Sequence, residues 1–94
     1  NTVTSGTVTL QNGVLRFENA TITGEIDASN VYANIELVGD NYVQNDAKFS
    51  IVTLTGSDEN AKLTINGSVG LKGNMTINNL EFKNIASGST TVIL

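Results

Sequence analysis

Histidine, cysteine, tryptophan and proline are all absent from the 94 residues, and arginine occurs once. Without cysteine there is neither a disulfide staple nor a thiolate metal site. Without histidine the usual general base, the usual triad partner and the commonest zinc ligand are missing together. Charged residues make up only 15% of the chain, against about a quarter in ordinary globular domains. The five basic and nine acidic side chains leave a net charge of −4, and no basic cluster offsets it. A phosphate backbone is therefore an unfavourable partner, and nucleic-acid binding is not expected. No apolar run approaches the ~20 residues of a membrane-spanning helix.

What is abundant is Val, Ile, Thr, Asn and Gly. Nowhere does an apolar period of 3.6 persist over two turns, whereas alternation of period two recurs throughout, so the class is all-β. The clearest unit is Met75-Thr-Ile-Asn-Asn-Leu-Glu-Phe-Lys-Asn84. Met75 and Ile77 alternate with polar residues, Asn79 interrupts the period, and Leu80 and Phe82 resume it in the opposite phase. Leu15-Arg-Phe-Glu-Asn-Ala-Thr-Ile-Thr-Gly24 repeats the pattern, with Asn19 in the place of Asn79. The two asparagines lie 60 residues apart, which is three coils of 20, and turn residues stand near both intermediate positions, at Gly39-Asp40-Asn41 and Asp58-Glu59-Asn60. Coils of this length, each unable to bury its own apolar face, describe a solenoid. About four coils are expected. Between Ile51 and Val52 the alternation slips, which predicts a bend.

A competing fold is an antiparallel β-sandwich. Asn12-Gly13 is a strong two-residue hairpin signal, and it would pair Leu10 with Leu15 and Val8 with Phe17. The second such dipeptide, Asn66-Gly67, would waste Val69 and Leu71 if read the same way, so those two are expected to form a separate short strand.

Residues 52–56 and 61–65, then Leu71-Lys-Gly-Asn-Met-Thr-Ile-Asn-Asn-Leu-Glu-Phe-Lys-Asn84, resemble right-handed parallel β-helix regions of the pectin-lyase-like kind found in bacterial secreted and cell-surface proteins. Residues 13–24 and 31–34 are similar to the same type of coil. The resemblance implies a single β-helix domain over residues 1–94, a segment of a longer chain, at an extracellular or cell-surface location. It does not imply an activity, because this fold carries lyases, hydrolases, adhesins, phage tailspikes and inert stalks alike. No catalytic motif matches. Arg16 is alone, and Asp27, Asp40, Asp46 and Asp58 fall in separate predicted turns. No catalytic residue, metal ligand or cofactor is expected, and the acidic turns read as solvated.

The expectation is thus a non-enzymatic scaffold or stalk with carbohydrate or host-surface binding. The alternatives are a fragment of a polysaccharide-active lyase or hydrolase and a phage tailspike or fibre segment. Tyr32 and Tyr42 are the candidate glycan-binding residues, because their rings could stack on sugars. Asn19 and Asn79 are assigned as structural corners, with side chains expected to point inward and stack as a ladder. Thr91-Val-Ile-Leu94 is apolar where a solenoid end should be polar, and either a continuing parent chain or end-to-end self-association is the expected consequence.

Overall fold

The computed structural model describes residues 2–86 and, for the backbone, residues 91–93. The strands are β1 (Thr2–Gln11), β2 (Val14–Thr23), β3 (Ile26–Val38), β4 (Asp40–Val43) and β5 (Ala47–Gly56). They are followed by β6 (Lys62–Ile65), β7 (Val69–Leu71), β8 (Met75–Asn78), β9 (Glu81–Asn84) and β10 (Thr91–Ile93). Leu94, the last residue of the expected terminal strand, lies outside the described residues.

Parallel pairing builds three walls. The first stacks β2, the second half of β3, the second half of β5 and then β8, with Leu15 opposite Ile35, Ile35 opposite Leu54 and Leu54 opposite Ile77. The second stacks the end of β2 on β4, β6 and β9. The third stacks the start of β3, the start of β5 and β7. Partners in neighbouring coils are 19 to 23 residues apart, as Lys62 is from Glu81 and Val52 from Met75. The fold is a parallel β-solenoid of about three turns. The four rungs of its first two walls close these turns, and β1 and β10 lie outside the coil. β1 folds back antiparallel on β2 with Leu10 opposite Leu15 and Val8 opposite Phe17, and β10 runs antiparallel to β9. The Asn12-Gly13 hairpin is therefore present, yet it belongs to a solenoid rather than a sandwich. Both of its central residues have positive φ, 54° and 78°, as a primed turn requires.

Alternation places one residue in two in the interior. Ile35, Leu37, Val43, Ala47, Phe49, Val52, Leu54, Ala61, Leu63 and Ile65 form a continuous buried core. The slip between Ile51 and Val52 is a corner between walls: Phe49 and Val52 are buried while Ile51 between them is 46% exposed. Residues 47–49 pair with β7 and residues 52–55 with β8.

The corner between the first and second walls is the tightest. Asn19 and Asn79 turn it with φ of 46° and 53°, and Gly39 with φ of 74°. This left-handed backbone is costly for most residues but is visited by Asn and Gly. Coils also touch there. A Cβ on Gly39 would meet the Asn19 side chain, and one on Gly56 would meet the Asn79 carbonyl. Gly56→Ala thus forces backbone apart from backbone and should cost about 1–3 kcal/mol, lowering Tm by roughly 4–8 °C per kcal/mol. A chemical-denaturation series should rank Gly56→Ala as more damaging than Gly70→Ala, whose added Cβ would meet only Lys48 Cγ, at 3.9 Å.

Candidate functional site

Asn19 and Asn79 stand at equivalent corners, but both side chains are exposed rather than inward. The Asn19 carboxamide oxygen accepts from the Asp40 backbone N–H at 3.2 Å, and Asn79 Nδ2 donates to the Gly56 carbonyl at 3.4 Å. Each reaches sideways to the adjacent coil, so no interior asparagine ladder forms from them. The reason is the backbone. A left-handed residue at the apex of a bend breaks the in–out alternation, and the residue after it (Ala20 or Leu80) is the one that turns into the core.

The inward asparagine is Asn41, which sequence reasoning places in a solvated turn. It is 1% exposed and is the one buried polar residue among those described. Its Oδ1 accepts from Ala20 N–H at 2.9 Å, and its Nδ2 donates to the carbonyls of Val38 at 3.1 Å and Lys62 at 3.3 Å. One side chain therefore joins three successive coils through their backbone groups. A signal for it exists in the sequence: Asn41 occupies the register position of Ala20, Leu63 and Phe82. Seen without that register, Gly39-Asp40-Asn41 reads only as a turn.

Three of the nine acidic side chains brace turns. Asp27 Oδ1 accepts from the backbone N–H of Ser29 at 3.1 Å and from its hydroxyl at 2.6 Å. Asp46 accepts from Ser68 N–H at 2.8 Å, linking two coils, and Asp58 accepts from Asn60 N–H at 2.9 Å inside its own loop. Among the described residues, no three carboxylates come together as a metal-binding group would require. Arg16 lies on the outer face of the first wall, 3.2 Å from both Glu18 and Glu36, with all three side chains about half exposed.

Tyr32 and Tyr42 do not share a face. Tyr42 is half-buried on the second wall, and its hydroxyl accepts from Asn66 Nδ2 at 3.1 Å. Tyr32 stands at the corner entering the first wall, 67% exposed, with its hydroxyl 3.0 Å from Thr53 Oγ1. Beside Tyr32 is an open apolar cleft of about 220 Å³, lined by Leu10, Leu15, Ala28, Val31 and Ala33. Leu10 and Val31 are 70% and 56% exposed. The cleft arises because the chain enters the first coil by a hairpin, which leaves no strand beneath the start of the third wall.

Charge at the third wall is organised between coils. Lys48 Nζ lies 3.2 Å from Glu25 Oε1, and this hydrogen bond with the adjacent carboxylate raises the lysine above its ordinary 10.5. The Ser29 hydroxyl and backbone N–H hold Asp27 below its ordinary 3.8, with smaller help from the charges of Lys48 and Lys72. Among the described residues no helix is long and apolar enough to cross a membrane.

Two outcomes are expected. Asn41→Ala removes all three of these hydrogen bonds to Asn41 and should cost about 3 kcal/mol. Asn19→Ala should cost about 1–2 kcal/mol, the strain of a left-handed alanine, and Asn19→Gly less still, as urea melts can rank. For pH, the Asp27 contribution is present above 3.8 and is lost as pH falls through the lower folded value. The Lys48 contribution is present below 10.5 and is lost as pH rises through the higher folded value. Melting temperature against pH should therefore be unaffected by these two groups between those limits. Asp27→Asn should flatten only the acid flank of the profile.

A scan against protein-family models, a search of curated proteins and a search of solved structures each returned no match, so the reading of this surface rests on the geometry above.

Proposed function

We propose that the chain is a non-enzymatic scaffold, a β-solenoid segment of a bacterial secreted or cell-surface protein that holds an outer face in register for display. The finer resemblance to pectin-lyase-like helices belongs to this proposal, as does the extracellular location. What carries it is how many of the polar side chains are engaged in internal contacts, within turns or between coils. Asp27, Asp46 and Asp58 brace turns, Asn19, Asn41 and Asn79 bridge coils, and the one arginine is held between two glutamates.

Binding, in this reading, belongs to the exposed corner at Tyr32, where an aromatic ring adjoins the apolar cleft at Leu10 and Val31. A sugar ring stacks its apolar face on such a surface and turns its hydroxyls to a neighbouring donor and acceptor, here the Tyr32–Thr53 hydroxyl pair. Tyr42 is assigned no contact, since its hydroxyl is engaged by Asn66 and its ring is half-buried.

Glycan-array binding followed by titration tests this directly. Tyr32→Ala should abolish any saccharide signal while Tyr42→Phe retains it. In parallel, incubation with pectins and other polyuronides should release no product. Turnover that disappears with Asp40→Asn or Asp58→Asn would overturn the scaffold reading in favour of an enzyme.

A further inference from the structure

The two ends of the solenoid are finished differently. At one end β1 covers the edge of β2, and at the other β10 covers the edge of β9. Among the described residues, however, β8 pairs with β5 alone, and its outer edge meets no other described strand. The interior is unfinished at the same place. Met75 and Ile77 stack on Val52 and Leu54, which are fully buried, but are themselves only half-buried. Proteins normally blunt such an edge with a charge, a proline or a bulge. Met75-Thr-Ile-Asn78 has no charge and no proline, and its pairing with β5 is regular.

The phase of the edge is fixed. Val52 N–H donates to the Asn74 carbonyl at 3.0 Å. In a parallel ladder Thr76 then turns its amide groups toward β5, while Met75 and Ile77 turn theirs to the free side. A strand added there must satisfy the Met75 and Ile77 amides and must also place its own apolar side chains inward.

The geometry points to a homodimer formed at this edge: a second copy of the chain adds its β8 antiparallel, across a two-fold axis at Thr76. Met75 then faces Ile77 of the partner subunit in a hydrogen-bonded pair, and Ile77 faces the partner subunit's Met75. Thr76 faces its own copy on the outer surface, a favourable cross-strand pair. The segment suits itself because Met-Thr-Ile reads apolar, polar, apolar in both directions. This register satisfies the free amides and keeps all four apolar side chains inside.

The remainder of the end face fits the same axis. Counted from the first coil, the first wall is four strands tall, the second wall five with β10, and the third wall three. A two-fold through the first wall exchanges the other two, so the tall wall of each copy meets the short wall of the other. The strand at the axis, Met75–Asn78, carries no charge. A single short strand and the end of a core form a contact well below the standard interface of about 1,600 Å². The dimer is therefore weak and concentration-dependent. This inference does not depend on the scaffold reading, since it concerns the edge and not what the outer face binds.

Cysteine substitution tests it in a chain that has no other cysteine. Residues facing across a non-hydrogen-bonded antiparallel pair lie about 4.5 Å apart at Cα, within disulfide range. Thr76→Cys should therefore cross-link into a dimer under mild oxidation. Asn78→Cys, displaced from the axis, should remain monomeric. Thr76 is exposed and stacks on Thr53, so charges there leave the fold intact, as circular dichroism can verify. Thr76→Lys and Thr76→Glu should each weaken self-association roughly two- to fivefold in sedimentation, and an equimolar mixture should restore it. A Gln44→Lys control, remote from the edge, should not change it. Equal cross-linking at both cysteine positions, a mixture that fails to recover, or only monomer up to millimolar concentration would overturn the proposal.

Discussion

Everything in this structure depends on one coil being able to lie flat against the next at the corner between the first and second walls. Strand pairing holds neighbouring backbones about 4.8 Å apart, and a corner residue with an inconvenient side chain would push them further. The chain meets this constraint with residue types that tolerate a left-handed backbone. Asn19 and Asn79 make the turn, while Gly39 and Gly56 provide the flat surface that those asparagines rest on. The apolar ladders follow from that contact. Leu15, Ile35, Leu54 and Ile77 can stack only if the corners keep the coils in step.

Asn41 shows what the same constraint demands inside. At this bend the amide of Ala20 and the carbonyls of Val38 and Lys62 all lie within hydrogen-bond reach of one buried side chain. Apolar packing cannot satisfy them. A carboxamide can, because it carries a donor group and an acceptor on one short side chain. The second wall thus gives up one apolar rung, between Ala20 and Leu63, in exchange for locking three coils through their backbones. Asn19 and Asn79 perform the lesser, solvent-exposed version of this task.

Much of this was readable from the residues. The all-β class, the coil length near 20, the bend after Ile51 and the hairpin pairing of Leu10 with Leu15 follow from alternation and turn chemistry, which are local. What escaped was relational. Whether Asn19 points inward depends on the sign of its φ, and polarity alone does not reveal that. Whether Asn41 is a turn residue or a core residue depends on its alignment with Leu63, a partner 22 positions away. That Tyr32 and Tyr42 do not share a face is relational in the same way. Similar residues ten positions apart fall on different walls when a coil of about 20 has three sides.

The ends show how a solenoid separates stability from specificity. Within the stack every strand has two neighbours, and its residues are under nearly identical demands, which is why Val, Ile, Thr and Asn can recur with little distinction. At an end this symmetry is lost, and identity begins to matter. Leu10 and Val31 border a cleft because no strand lies beneath the third wall at that point. Met75 and Ile77 are half-covered where, among the described residues, β8 pairs with β5 alone. Both features come from rungs that the coil leaves out, not from insertions into it. In a fold whose interior residues are committed to joining coils, recognition is most naturally sited where the repeat stops, since only there do backbone amides and core side chains remain open together.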